Sequence, residues 1–168
     1  METFSADKMN TGTTQQDAVV IDRVLDTPID KVWRAITVAE EFKKWWGPNG
    51  FSCPYSKMEA KVGGKYLNCM RGPDGKEFWS TGEVKELIPN KKLVITDRFS
   101  DEKGNTIPGA EIKMPGEWPD ETHISFELEE AGSTTNLHLV HEGIPEESHD
   151  DCVKGWEESL DKLEKNSK

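Results

Sequence analysis

The sequence is poor in positive charge. Its 21 basic side chains face 32 acidic ones, so the formal net charge is −11. Nucleic acids and anionic membrane surfaces are bound by clustered Lys and Arg, and this balance predicts neither of them as a partner. No apolar run approaches the roughly 20 residues of a spanning helix, and the N-terminus shows no secretory signal.

Cysteine is scarce as well. Cys53, Cys69 and Cys152 are odd in number and have no paired spacing, which predicts reduced thiols in a cytoplasmic protein. His149 and Cys152 lie three residues apart with His141 upstream, and three such groups can bind zinc in principle. A fourth ligand is missing and the spacing matches no usual zinc pattern, so we expect neither a metal nor a cofactor.

The common catalytic motifs are absent. The sequence contains no G-x-S-x-G, no P-loop and no H-E-x-x-H. Gly63-Gly64 and the segment 71–75 have no helix after them, which predicts turns rather than phosphate-binding loops. No catalytic residue can therefore be assigned from a motif.

The chain opens on a segment without hydrophobic periodicity. Residues 1–17 are polar and rich in Thr and Gln, which predicts a disordered tail. A single domain is predicted over residues 18–168, because no linker or internal repeat divides them. Its first strand is the β-branched run at 18–25.

Two short helices are predicted after this strand. Pro28 suits a first helical turn, where its missing N–H needs no partner, and Asp26 or Thr27 would cap that turn. Apolar residues recur at helical spacing over 29–36. The second helix is predicted from Val38 to about Trp45, where a Gly-Pro pair ends it.

The middle of the chain is rich in strands and its end is one long helix. Pro145 begins that helix, which carries one apolar stripe with Cys152 beside it. Residues 100–119 form a long excursion interrupted by Gly and Pro, and loops of this length are usually functional or mobile. Strands are predicted at 55–60, 65–71, 78–87, 93–99, 122–129 and 134–141, and the stripe comprises Val153, Trp156, Leu160 and Leu163.

This order of elements predicts an α+β fold. Antiparallel strands would form a curved sheet wrapped around the long C-terminal helix, with two short helices after the first strand. Such a helix-grip arrangement leaves a cavity between sheet and helix. Period-two alternation places His141 in line with Leu137 and Leu139, and Asp97 between Ile95 and Phe99, on the inward face.

Two titratable residues thus fall on the inward face. His141 would act as a general base or as a hydrogen-bond partner of a ligand, and the alternative is a structural histidine. A buried Asp97 needs a partner or a solvated cavity. If the face is assigned one residue off, Asp97 lies on the surface instead.

Aromatic residues are numerous, and aromatic-lined cavities bind flat apolar molecules well. Trp46, beside a Gly-Pro pair, is expected at the mouth of the cavity, and Trp156 is expected to form an apolar wall. Tyr66 and Asn68 fall on a further inward row. The expected ligand contacts are Trp46, Tyr66, Asn68, Asp97, His141 and Trp156.

The order of several short motifs resembles a known family. Taken together, they resemble the SRPBCC superfamily with its START-like, Bet v-like helix-grip fold. The nearest group is the one named after the C-terminal domain of the activator of heat shock protein 90 ATPase. The motifs are Thr27-Pro28 to Trp33, Trp45-Trp46-Gly47-Pro48, Gly63-Gly64, Met70 to Gly75, Gly82, Val84, Pro89, Leu93, Thr135 to Gly143, and Gly155-Trp156 to Leu163.

The resemblance implies a deep cavity but not one function, because members of the superfamily include lipid carriers, aromatic polyketide cyclases, resistance proteins and co-chaperones. Our main hypothesis is that the protein binds an apolar or aromatic small molecule. The second is a protein-interaction module of the co-chaperone kind, with a chaperone as partner. The third is an enzyme of the cyclase or hydratase kind, in which His141 and Asp97 would exchange protons.

Overall fold

The computed structural model describes residues 18–167, so the predicted tail at 1–17 and Lys168 lie outside the described residues. Seven strands and three α-helices follow one another in the predicted order. They are β1 Ala18–Leu25, α1 Ile29–Thr37, α2 Ala39–Phe42, β2 Ser52–Met58, β3 Lys65–Arg71, β4 Glu77–Ile88, β5 Lys92–Ser100, β6 Thr122–Ala131, β7 Thr134–Glu142 and α3 Glu146–Asn166.

The seven strands form one antiparallel sheet. Their order is β1-β7-β6-β5-β4-β3-β2, so the first strand crosses over to pair with the last one. In the register, Ile95 lies opposite Ile124, and Ile124 lies opposite His141. Since neighbours across strands share a face, these rows define the concave side that faces the long helix. The predicted α+β helix-grip fold is confirmed.

The start of α1 differs from the sequence expectation. Pro28 itself occupies the N-cap position, and no side chain caps the helix. The carbonyl of Thr27 accepts a hydrogen bond from the Thr135 hydroxyl at 2.7 Å, which ties this turn to β7. The entry to the helix is therefore fixed by the proline and the sheet rather than by Asp26 or Thr27 as a cap.

The second helix is much shorter than expected. It ends at Phe42, and the chain continues in turns to Trp45. Trp45 is buried, and its indole N–H donates to the Ala35 carbonyl at 2.8 Å. Because the ring has to reach back over α1, the backbone leaves the helix before this residue.

The long helix α3 lies in the grip of the sheet. Trp156, Ser159, Leu160 and Leu163 are buried on one face, while Val153 and Cys152 are only partly buried. The predicted stripe is thus the face that packs on the sheet. No helix within residues 18–167 is long and apolar enough to cross a membrane.

A cluster of charges fastens α3 to the edge strand β1. Arg23 of β1 donates to Glu157 at 2.9 Å and to Asp161 at 2.6 Å, and it also bonds Glu164. Glu164 accepts in addition the backbone N–H of Asp26 at 2.8 Å. One guanidinium therefore pairs with three carboxylates that lie along a single face of the helix.

Candidate ligand-binding site

The space directly between sheet and helix is nearly filled. We call it the inner space; its volume is about 20 Å³, enough for about one water molecule. Tyr66 and Asn68 line it on one side and Trp156 on another. Asn68 is buried, and its side-chain oxygen accepts the Ser56 hydroxyl at 2.7 Å. A drug-sized molecule does not fit here.

A second cavity opens next to the inner space. This outer pocket has a volume of about 460 Å³, within the usual range for small-molecule sites. Trp46 and Asp97 line both cavities and therefore stand at their junction. The other residues of its wall are mostly aromatic or apolar, and His141 is among the remainder. The larger side chains are Phe51, Met70, Phe78, Phe99, Met114 and Trp118.

The excursion between β5 and β6, residues 101–121, forms one wall of the outer pocket. Trp118 packs edge-on against Phe99, with ring centroids 5.6 Å apart. Further along the wall, the Ser148 hydroxyl at the start of α3 donates to the Pro115 carbonyl at 2.5 Å. A Cβ on Gly116 would meet Pro145 at 2.3 Å, so only glycine allows this close approach. The excursion is thus docked onto the long helix.

Three oxygen atoms lie in a row at the junction of the two cavities. The Tyr66 hydroxyl oxygen is 2.6 Å from the Thr96 carbonyl and 2.6 Å from Asp97 Oδ1. The Tyr66 ring crosses β4 at Gly82, where a Cβ would lie 2.8 Å from the ring. The Tyr66 hydroxyl has one hydrogen and can donate it fully to only one of these two oxygens. The other short contact therefore needs a hydrogen that Asp97 supplies.

The surroundings of Asp97 favour that extra hydrogen. Burial raises the pKa of the Asp97 carboxyl to about 7, against the opposing effect of the Tyr66 hydrogen bond. With the proton on Oδ1, Asp97 donates to Tyr66, and Tyr66 donates to the Thr96 carbonyl. Asp97 is nevertheless partly accessible, because it borders the outer pocket. A carboxyl group that changes charge near neutral pH thus lies in the pocket wall.

Both ring nitrogens of His141 are engaged within the protein. The Trp156 indole N–H donates to Nδ1 at 3.2 Å, which leaves the hydrogen on Nε2. Nε2 then donates to the Thr122 hydroxyl at 3.0 Å. Burial, with a smaller repulsion from His123, lowers the pKa of His141 to about 3. The imidazole is neutral, holds Trp156 in place and presents no free nitrogen to the pocket.

The six residues expected to contact a ligand are thus divided between two cavities. His141 borders only the outer pocket, whereas Tyr66, Asn68 and Trp156 border only the inner space. Trp46 and Asp97 border both. Sequence reasoning missed Phe51, Phe99, Trp118 and the start of α3 as wall residues. The length of the excursion and the tryptophan within it were the available signals for part of this wall.

The opposite pKa shifts of Asp97 and His141 make a test possible. Between about pH 4 and 6.5, Asp97 is protonated in the folded protein but ionised in the unfolded chain, which makes the fold less stable as the pH rises. Over the same range His141 is neutral in the folded protein but protonated in the unfolded chain, which makes the fold more stable as the pH rises. In the native protein these two dependences of stability on pH cancel. Asp97→Asn removes the contribution of Asp97 and leaves that of His141. The stability of the variant relative to the native protein should therefore fall by about 1–2 kcal/mol from pH 7 to pH 5. Urea unfolding at several pH values measures this difference.

Glu130→Gln provides the control for this measurement. Glu130 is exposed near the end of β6, and its replacement removes the same charge away from the pocket. Its stability should follow that of the native protein across the pH range. Parallel curves for Asp97→Asn and the native protein would mean that Asp97 is ionised in the fold at pH 5.

Metal binding has no structural counterpart in the described part of the chain. Within residues 18–167, no three His, Cys, Asp or Glu side chains are grouped so that they would hold a metal ion. His149, considered from its spacing, instead places Nε2 3.1 Å from the Ala18 carbonyl.

Solved structures share this architecture of a sheet gripping a helix. A protein from Nitrosomonas europaea superposes with a TM-score of 0.73 at 21% identity, over 90% of this chain and 94% of that one. One from Chromobacterium violaceum has a TM-score of 0.71 at 28% identity, over 89% and 95%. The AHSA1 protein of Silicibacter pomeroyi has a TM-score of 0.70 at 20% identity, over 88% and 95%.

Fold and pocket together define a helix-grip protein. Residues 26–168 match the family model described as activator of Hsp90 ATPase homolog 1-like protein, and the chain belongs to that family. The suspected SRPBCC-type resemblance is thereby confirmed. No curated protein is significantly similar to the chain in sequence.

Proposed function

We propose that the protein binds an apolar or aromatic small molecule in the outer pocket. The observation that carries this proposal is a cavity of about 460 Å³ whose wall is largely aromatic and apolar and includes one partly accessible carboxyl, Asp97. Pockets of this size and composition are the usual sites for drug-sized ligands. The three cysteines are unpaired in the structure, which supports a cytoplasmic setting for this function.

The geometry favours binding over acid–base catalysis. An enzyme of the cyclase or hydratase kind would use His141 to accept a proton, but His141 Nδ1 already accepts the Trp156 N–H and Nε2 donates to Thr122. The low pKa of His141 agrees with a neutral structural role. Asp97 alone supplies a titratable group at the junction of the two cavities, and one acid suits ligand orientation.

Filling the outer pocket is expected to abolish binding. Ser80 lies on the inward face of β4, opposite Asn68 and Phe99, and it borders the pocket. In Ser80→Phe the added ring would occupy part of the cavity. The neutral probe naphthylethanol should bind the native protein and lose about tenfold or more in affinity for this variant, as measured by calorimetry.

Ser80→Ala is the matched control, because it changes the same position and leaves the cavity open. Its affinity for naphthylethanol should equal that of the native protein. In nuclear magnetic resonance spectra the probe should shift the amides of Phe99, Trp118 and Cys152, which border the pocket from three elements. Equal affinities of both variants, or shifts confined to the outer face of the sheet, would favour the protein-interaction module instead.

A further inference from the structure

The charged residues around the outer pocket favour one sign of ligand charge. Asp97 of β5, Asp120 of the excursion and Asp151 of α3 border the cavity. Among the described residues of this wall, Arg98 is the one with a permanently positive side chain. It follows Asp97 in an extended strand, where successive side chains leave on opposite faces, so the two side chains start from different sides of β5. The Arg98 Nε is buried and has no hydrogen-bond partner among the described residues. The two described residues that border both cavities, Trp46 and Asp97, include no cation, so the group that a ligand meets at this junction is a carboxyl.

We propose that the ligand is an arylalkylamine bound as a cation, with its ammonium group against Asp97. This inference rests on the proposed function and narrows it to one class of molecule. Fatty acids and other apolar anions are disfavoured by the same arrangement, since Asp120 and Asp151 would repel them and Asp97 offers them no positive charge.

Asp97 retains an oxygen for such a ligand. Oδ1 is bonded to Tyr66, whereas Oδ2 has no hydrogen-bond partner among the described residues. Because Asp97 is partly accessible and borders the outer pocket, an ammonium group entering the pocket can donate to this oxygen. A charge-assisted hydrogen bond of this kind is about twice as strong as a neutral one.

The aromatic wall suits the rest of a cationic ligand. Trp46 stands beside Asp97 at the junction of the two cavities, and Phe99 and Trp118 form an edge-to-face pair in the same wall. Faces of such rings attract cations within about 6 Å, most strongly where water is excluded. Carboxylate and rings therefore favour the same class of ligand, an organic cation with a flat apolar body.

Binding of a cation should release a proton. With no ligand, the three-oxygen row is best satisfied by a protonated Asp97; an ammonium group favours the ionised form, and the Asp97 proton passes to solvent. Tyr66 then donates to Oδ1. The other titratable groups near Asp97 are Arg98 on β5, His141 on β7, which stays neutral, Asp120 on the excursion, and Asp151 and Cys152 on α3. A positive charge beside Asp97 would favour its ionised form even without a ligand, and Arg98, whose side chain leaves the other face of β5, is the one such group among them.

Three probes with one aromatic body test the inference: naphthylethylamine, naphthylethanol and naphthylacetate. At about pH 8, calorimetry should show the amine binding about tenfold tighter than the alcohol, and naphthylacetate binding weakest. Affinity for the amine should fall by about tenfold or more between about pH 8 and 5.5, while affinity for the alcohol should stay constant. Proton release should appear as a dependence of the amine's binding enthalpy on the buffer near pH 6.

Asp97→Asn should remove the preference for the amine over naphthylethanol, and Glu130→Gln should leave that preference intact. If the alcohol binds but the amine binds no tighter, or naphthylacetate binds best, the cation inference is wrong while the proposed pocket stands. If no probe binds the native protein, the proposed function itself fails. Should Asp97→Asn not fold, the pH dependence and proton release of the native protein decide the question alone.

Discussion

Replacing Trp156 by alanine is expected to lower the free energy of unfolding by about 3–5 kcal/mol. The side chain is only 6% exposed and lies at the centre of the gripped helix. Its ring contacts Trp46 and Phe126, at centroid distances of 5.3 and 5.9 Å. The substitution also leaves His141 Nδ1 without its donor in a buried position. Denaturant unfolding at neutral pH measures the loss.

Lys154→Ala is the control for this change. Lys154 is exposed on the same helix, two residues away, and its replacement should alter stability by no more than about 0.5 kcal/mol. Similar denaturation midpoints for the two variants would contradict the placement of Trp156 in the core. A midpoint shift confined to Trp156→Ala would support both the helix face and its role against the sheet.

Arg23→Met is expected to cost about 2–3 kcal/mol, the second-largest effect. The Arg23 side chain is 19% exposed and pairs with Glu157, Asp161 and Glu164. Methionine preserves much of the apolar stem but leaves three carboxylates along one face of α3 without a counter-charge. Removing one partner of a buried ion pair lowers the free energy of unfolding more than removing one partner of an exposed pair. Arg23 is partly buried, so its expected loss lies between these two cases.

Salt distinguishes the electrostatic part of this loss from the packing part. Repulsion among the three carboxylates is screened at high ionic strength, so Arg23→Met should regain part of its stability in about 1 M salt. Arg71→Met is the comparison, because Arg71 pairs with Glu77 on an exposed surface and its loss should cost clearly less than the loss of Arg23. A loss for Arg23→Met no larger than that for Arg71→Met would show that the three carboxylates do not depend on Arg23.

The sheet and the long helix could be predicted because their signals are repetitive. Alternation along β5, β6 and β7 identified the concave face, and the register pairs those rows as expected. The end of α2 could not be predicted from periodicity. It depends on the Trp45 indole reaching the Ala35 carbonyl, a contact between residues ten apart that no local pattern encodes.

For the candidate site, the sequence could indicate the face of the sheet on which a side chain lies but not the shape of the cavities. Alternation placed Asp97 and His141 on the concave face, and Trp46 was expected at a cavity mouth. Which face a side chain occupies does not determine which other atoms reach it, so the sequence could not indicate that Trp156 and Thr122 occupy both nitrogens of His141. Nor could it indicate that the excursion would dock on α3 and enclose the larger cavity.

The packing of Trp46 has an optical consequence. Its ring lies 5.7 Å from that of Trp45 and 5.3 Å from that of Trp156, in edge-to-face arrangements. Indoles held this close in fixed orientations couple their excited states, which gives paired circular dichroism bands of opposite sign. The coupling between Trp46 and Trp156 joins the segment after α2 to the gripped helix. The amplitude of these bands therefore reports whether that helix is seated, without any added label.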